Sequence, residues 1–332
     1  MAGKSKKTFE QWMQKGKQSM AHEDFEQAAR AFSQAIKLKP EEAEGHYGRS
    51  HAYFEMGEFD RALCDLDRTL ALDPGHAYAY LDRGSIRFAQ RNLEAAFKDF
   101  DQAVKLAPLE TEALVDRGMV RSLLGELEPA VQDYNRALEL NTDFTRVYFY
   151  RGEAYLDLGK PDLAMKDFDR AIELHPEYAD AYCSRAEIHA ARDNFSRALR
   201  DLENSLKANP QYPDAYLLRG QIHLSTLQPD LALEDLNRAL ELNPDLALAY
   251  FYRASALMAK GKSEQALNDL DRAIAMEPEQ GVCYLVRGLV YEMRGDSRKA
   301  EADWKKALEL EPELKGISPA EFLRTSHLKL IK

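Results

Sequence analysis

Two blocks of helical spacing alternate along the chain. VYFYRGEAYLDL (147–158) and LAMKDFDRAIEL (163–174) each carry apolar residues three and four apart, with GKPD between them. Gly159 suits the end of one helix and Pro161 the opening of the next, and Gly57, Gly125, Gly261 and Gly295 stand at the same break elsewhere. No period-two run appears, so the pattern predicts helices and no strands. The stretch DFDRAIELHP (167–176) returns as DYNRALELNT (133–142), DLNRALELNP (235–244) and DLDRAIAMEP (269–278). Prolines at 40, 74, 108, 176, 210, 244, 278 and 312 are 34 residues apart, except for one gap of 68 with Thr142 at its midpoint. Losing that proline predicts a small change of angle or mobility around Thr142.

In register, the units are 9–42, 43–76, 77–110, 111–144, 145–178, 179–212, 213–246, 247–280 and 281–314, after a short basic tail, 1–8. A large residue stands at the fourth place of each unit (Trp12, His46, Tyr80, Leu114, Tyr148, Tyr182, Tyr216, Tyr250, Tyr284). A small one stands at the eighth (Gly16, Ser50, Gly84, Gly118, Gly152, Ala186, Gly220, Ala254, Gly288), and alanine at the twentieth from Ala28 to Ala300. The twenty-fourth is aromatic or leucine, as at Phe32, Phe100, Tyr134, Phe168 and Trp304. Small residues let two helix backbones approach while large ones fill the layer between them.

The period and these residues resemble the tetratricopeptide repeat family across nearly the whole chain. The resemblance implies an all-α superhelix: a solenoid of nine helix–turn–helix repeats in one domain, the first helices lining the concave face of a right-handed spiral. A hairpin cannot bury its own apolar face, so repeats must stack and the ends be capped. The first helix carries Gln11, Gln14, Lys15 and Gln18 where later units are mainly apolar. At the other end, 315–332 leaves the pattern, and Ser318-Pro319-Ala320-Glu321 reads as the start of a C-terminal capping helix with Phe322, Leu323, Leu328 and Ile331 on its apolar side.

One departure from the family is systematic. Arginine replaces its usual leucine at the seventh place of units two to nine (Arg49, Arg83, Arg117, Arg151, Arg185, Arg219, Arg253, Arg287). The same units carry aspartate at the twenty-third (Asp65, Asp99, Asp133, Asp167, Asp201, Asp235, Asp269, Asp303), and the first unit lacks both. Joint presence and joint absence predict a ladder of Arg–Asp pairs, since guanidinium and carboxylate match geometrically. Pairing within a repeat and pairing between repeats are both open. An arginine row binding an anionic ligand is the weaker alternative, because an equal count of acids already satisfies it.

Composition narrows the function. A net charge of −11 argues against nucleic acid as the main partner. No signal peptide, lipid motif or membrane span is readable, and Cys64, Cys183 and Cys283 are odd in number and far apart, which predicts reduced thiols and a cytoplasmic location without membrane insertion. No phosphate loop, HExxH, CxxC, GxSxG or EF-hand spacing occurs, so no catalytic residue, cofactor or metal is assigned. His189 and His223 share the eleventh place of adjacent units, but a pair of histidines needs further ligands to hold a metal. Tyrosine fills that place in three other units, which makes packing the simpler account.

The resemblance places positions two, five, nine and twelve of each unit on the groove. They include Tyr47, His51 and Phe54; Tyr78, Leu81 and Phe88; Arg146, Phe149 and Glu153; Leu217 and Gln221; and Leu248 and Phe251, with Tyr150 and Tyr252 near the rim. Glu44, Glu112, Asp180, Glu187 and Asp214 add negative charge. Such a groove suits a peptide or protein partner bearing apolar anchors and Lys or Arg. The Lys–Asn clamp of chaperone adaptors is not matched: Tyr47, His51, Asp82, Glu112 and Asp116 stand there, and would repel an anionic terminus. Nor is there the asparagine row of the sugar-transferase relatives. The expected function is a non-catalytic interaction scaffold. The alternative is self-assembly into a homo-oligomer, for which HLKLIK (327–332) is a candidate tail.

Overall fold

Each half-repeat becomes one helix. The computed structural model describes residues 7–315 and divides into two compact units, Met1–Lys160 and Pro161–Lys332. The first unit contains α1 (Phe9–Ala21), α2 (Phe25–Leu38), α3 (Ala43–Glu55), α4 (Phe59–Leu72), α5 (Ala77–Ala89), α6 (Leu93–Leu106), α7 (Thr111–Leu123), α8 (Leu127–Leu140) and α9 (Thr145–Asp157). The second contains α10 (Pro161–Leu174), α11 (Ala179–Ala191), α12 (Phe195–Ala208), α13 (Pro213–Ser225), α14 (Pro229–Leu242), α15 (Ala247–Ala259), α16 (Ser263–Met276), α17 (Gly281–Met293) and α18 (Ser297–Leu310), closed by a 3₁₀ turn at Pro312–Leu314. The division falls in the turn of the fifth repeat. Among the described residues there is no strand. The expected capping helix at 315–332 lies, but for Lys315, outside the described residues.

Local chemistry sets the helix ends. Thr8 and Gln11 form a reciprocal capping box at α1, and Asp24, Asn92 and Asp296 cap α2, α6 and α18. The turn inside each hairpin needs one residue at positive φ. Glycine supplies it at 57, 125, 159, 261 and 295, and Glu23, Arg91, Asp193 and Leu227 adopt it despite their side chains. Where Thr142 replaces proline, the inter-repeat turn keeps the pattern of its neighbours. Asn141 Oδ1 accepts from the Asp143 amide at 3.1 Å, as Asn209 does from Gln211 and Asn243 from Asp245 at 3.0 Å. The Thr142 carbonyl also accepts from the Tyr148 hydroxyl, as the Pro210 carbonyl does from Tyr216.

Within each unit the hairpin partners pack on each other, and the second helix of one repeat packs on the first helix of the next. Ala28, Ala62, Ala96, Ala130, Ala198, Ala232, Ala266 and Ala300, at the twentieth place, are fully buried at the hairpin crossing. Facing them, the eighth and twenty-fourth places fit by size. A Cβ added at Gly84 would lie 2.7 Å from Phe100 Cε1, one at Gly118 2.6 Å from Tyr134 Cε1, and one at Gly288 2.5 Å from Trp304 Nε1. Ser50, Ala186 and Ala254 occupy the eighth place only where the twenty-fourth is Leu66, Leu202 or Leu270. The aromatic ring takes the room that a side chain would need.

The ladder pairs both ways. Arg185 donates from Nε to Asp201 Oδ2 at 2.9 Å and from Nη2 to Oδ1 at 2.7 Å, a two-point contact within its own hairpin. Its third corner, Nη1, donates at 2.6 Å to Asp169 Oδ1 of the preceding repeat. The same two-point contact joins Arg49 to Asp65, Arg83 to Asp99, Arg117 to Asp133, Arg219 to Asp235, Arg253 to Asp269 and Arg287 to Asp303. Nη1 reaches back to Ser33, Asp67, Asp101, Asn135, Asn237 or Asp271 from Arg49, Arg83, Arg117, Arg151, Arg253 or Arg287. Burial works against the Arg185 charge, but hydrogen bonds to Asp201 and Asp169 outweigh it and raise its pKa. Six of these arginines also lie over the tyrosine one turn earlier, at 5.4–5.6 Å for Arg83, Arg151, Arg185, Arg219, Arg253 and Arg287.

Candidate functional site

The groove residues expected from the sequence separate by accessibility. Phe54 and Tyr78 are 42% and 52% exposed, and His51 is exposed beside them. Tyr47, Leu81, Phe88, Arg146, Phe149, Glu153, Leu217 and Leu248 are half-buried. Gln221 and Phe251 are not accessible at all, at 1% and 2%, and their assignment to the groove is corrected, as is that of Tyr252 to its rim. α13 packs on α15 and α15 on α17, and Phe251 joins a core with Leu224, Tyr252, Leu257 and Val286.

In the first unit the first helices enclose three consecutive depressions. One, of about 470 Å³, is formed by Met13 and Met20 of α1 and Tyr47 and His51 of α3, with His76 and Tyr78 at the start of α5. The next, of about 170 Å³, lies between His51, Phe54 and Glu55 of α3 and Asp82, Ser85 and Ile86 of α5. A third, of about 70 Å³, lies between Ser85 and Phe88 of α5 and Asp116 and Met119 of α7, over Phe100. His51 joins the first to the second and Ser85 the second to the third, so they form one line.

Two aspartates at the sixth place of adjacent repeats give this line its charge. His51 Nε2 lies 2.8 Å from Asp82 Oδ2, and that close contact raises the histidine pKa against the effect of burial. The Tyr47 ring sits 4.7 Å from His51 and 4.3 Å from His76, and burial with Asp82 alongside keeps its phenol protonated. Asp116 has no hydrogen-bond donor among the described residues. Burial pushes its carboxyl up to about 6, against the pull of Arg146, while Glu112 adds to the rise. Arg146 is ion-paired to Glu112. Sequence analysis named Asp82 and Asp116 only as residues that do not match the chaperone-adaptor clamp and left the sixth place out of its groove positions; acids in two adjacent repeats, where others carry Gly48, Tyr150, Ser184 or Leu218, were the signal for it.

Asp116 has a measurable effect on stability. The unfolded carboxyl titrates near its ordinary value of about 3.9, so between there and about 6 the folded chain holds the extra proton. Stability is therefore lost as pH rises through that window and stays lost above it. Asp116→Asn is expected to change little near pH 4 and to stabilise the first unit by about 1–2 kcal/mol near pH 7.5, solvent screening included. Thermal melts of both proteins at the two pH values check it.

Other candidate groups take structural positions. His189 Nε2 lies 3.8 Å from Asp201 and His223 Nε2 3.6 Å from Asp235, each facing the ladder of its own repeat. In repeats three and four the same eleventh place holds Arg87 and Arg121, which donate to Asp99 at 2.7 Å and Asp133 at 2.8 Å. Among the described residues no group of three or more His, Cys, Asp or Glu side chains gathers as metal ligands would. All three cysteines are free; Cys64 is exposed, and burial raises the thiol pKa of Cys183 and pushes Cys283 up to about 12. No described helix is long and apolar enough to cross a membrane.

Comparison with known proteins agrees with this architecture. Family models described as tetratricopeptide repeat match residues 49–113, 145–178, 183–247, 221–281 and 251–314, and one described as TPR repeat matches 16–57 and 118–159. A search of curated proteins finds no match. A crystal structure of a tetratricopeptide repeat protein from Parabacteroides merdae is 20% identical and covers 80% of this chain and 98% of its own, with a TM-score of 0.60. The hetero-tetramer Cut9–Hcn1 of APC/C is 15% identical and covers 91% of this chain and 59% of its own, at 0.64. At those identities both likenesses concern the fold alone. YrrB, described as a TPR protein with an unusual peptide-binding site, is 27% identical and covers 57% of this chain and 97% of its own, at 0.50.

Proposed function

The chain belongs to the tetratricopeptide repeat family, and on that premise we propose that it is a non-catalytic scaffold holding a peptide or protein partner on its first helices. The observation that carries this reading is the line of depressions from α1 to α7, with Phe54 and Tyr78 exposed along it. Exposed aromatic surface beside a cavity offers anchoring area, although Phe54 also packs edge-on against Phe59 and the Tyr78 hydroxyl donates to Glu110. The peptide-binding site of YrrB supports the same use of the fold. Among the described residues no nucleophile–base pair is placed at the carboxyl of Asp116, which suits the groove to holding a ligand. The partner would carry apolar anchors and basic residues.

Affinity capture from native lysate tests the reading. Phe54→Ala/Tyr78→Ala should reduce recovery of the captured protein about tenfold, as expected for losing a binding anchor worth more than about 1.4 kcal/mol. Equal recovery by both forms would sink it. Light scattering on the full chain separates self-assembly, which requires the mass to rise with concentration.

A further inference from the structure

Resting on that scaffold reading, we infer that the second and third depressions form a two-point receptor for a linear peptide segment with a Lys or Arg beside an apolar residue. The cation would lie against Asp116 and the apolar side chain between Phe54 and Ile86.

Charge complementarity selects this occupant. Glu55 and Asp82 face the larger depression and Asp116 the smaller, while the walls between them are Phe54, Ile86, Phe88 and Met119. Of the cations nearby, Arg146 is ion-paired to Glu112 while it also pulls on Asp116, and His51 lies against Asp82, which leaves the carboxylates in excess. Asp116 has no donor among the described residues, and a side chain bringing one would meet a carboxylate already stripped of much of its water. Lys and Arg also lay their methylene stems on apolar surface, which Phe88 and Met119 provide at the carboxylate. Ser85, common to both depressions, has its hydroxyl turned back onto the Leu81 carbonyl at 3.0 Å, leaving the passage between them clear of a donor.

The site also responds to pH. The groups facing Asp116 are Glu112 on its own helix, Arg146 on α9, and the phenol of Tyr134 on α8. With its carboxyl near 6, Asp116 is largely protonated in mild acid and charged at neutrality, and an arriving cation favours the charged form. Binding therefore strengthens as pH rises through that range.

The test uses the full chain and a phage-displayed library of random dodecapeptides. Enriched peptides, resynthesised with fluorescein, are titrated by anisotropy near pH 5 and near pH 7.5. The expected result is enrichment of Lys or Arg next to an apolar residue, about tenfold weaker binding to Asp116→Asn near pH 7.5, and a smaller difference between the two pH values in that variant. Met119→Arg, which places a cation one turn from Asp116, must weaken the same peptides, and circular dichroism confirms that both variants are folded. Enriched peptides without basic residues, or unchanged affinity for Asp116→Asn, would overturn the receptor and leave the scaffold reading standing. A library that yields no binder also overturns it, while the capture experiment judges the scaffold independently.

Discussion

Asp201→Ala is expected to destabilise the second unit by about 3 kcal/mol, because it leaves Arg185 without its two-point partner in a site that water reaches poorly. Asp201 is 4% exposed and takes both Nε and Nη2 of the guanidinium. The bond from Nη1 to Asp169 survives and limits the loss. His189, 3.8 Å from the same carboxylate, would lose a charged neighbour as well. Replacing both partners with apolar residues, Arg185→Met and Asp201→Leu, should recover most of the stability. A buried pair contributes little net energy, and its severe effect appears when it is broken from one side. Because a repeat array need not unfold in one step, the measurement is hydrogen exchange across α11, α12 and α13, supported by a denaturant melt. Unchanged exchange in the single variant would remove the ladder from any structural role.

The second large effect is steric. Gly118→Ala is expected to cost about 2–3 kcal/mol, since its methyl would stand 2.6 Å from Tyr134 Cε1 and that ring is 1% exposed, with no room to withdraw. Tyr134→Leu alone should also destabilise, by leaving space at the hairpin crossing. Together they recreate the Ala186/Leu202 and Ala254/Leu270 combinations that the chain uses elsewhere. The double variant should therefore be more stable than the sum of the singles predicts, by more than about 1 kcal/mol in a double-mutant cycle. Strict additivity would refute the size-matching account.

These two features show how far the sequence carries. Period, hairpin boundaries and the Arg–Asp partnership were legible because each recurs at a fixed spacing, and repetition averages away local noise. The backward reach of Nη1 was not, since its acceptor alternates among Ser33, Asp67, Asn135 and Asp271 and shows no single residue type. The eleventh place hid a second cation for the ladder in the same way, with Arg87 and Arg121 in two repeats and tyrosine or histidine in others. For the groove, assignment by position assumed that every first helix stands equally open. At the fifth place Tyr47, Leu81 and Phe149 are half-buried, while Phe251 is enclosed in a core with Leu224, Leu257 and Val286. Periodicity specifies direction around a helix axis; it carries no information on the gap to the next one.

The three-cornered grip of each arginine has a consequence for how such a chain can change in length. Most interior modules present a plug to the module before them and a socket to the module after them, and the first and ninth modules differ in kind: Lys15 replaces the plug in one, and Lys305 the socket in the other. Excising 179–212 would bring Arg219 to Asp169, the acceptor that Arg185 uses now. Copying or dropping a whole module thus orphans no charge, whereas a cut at any other length does.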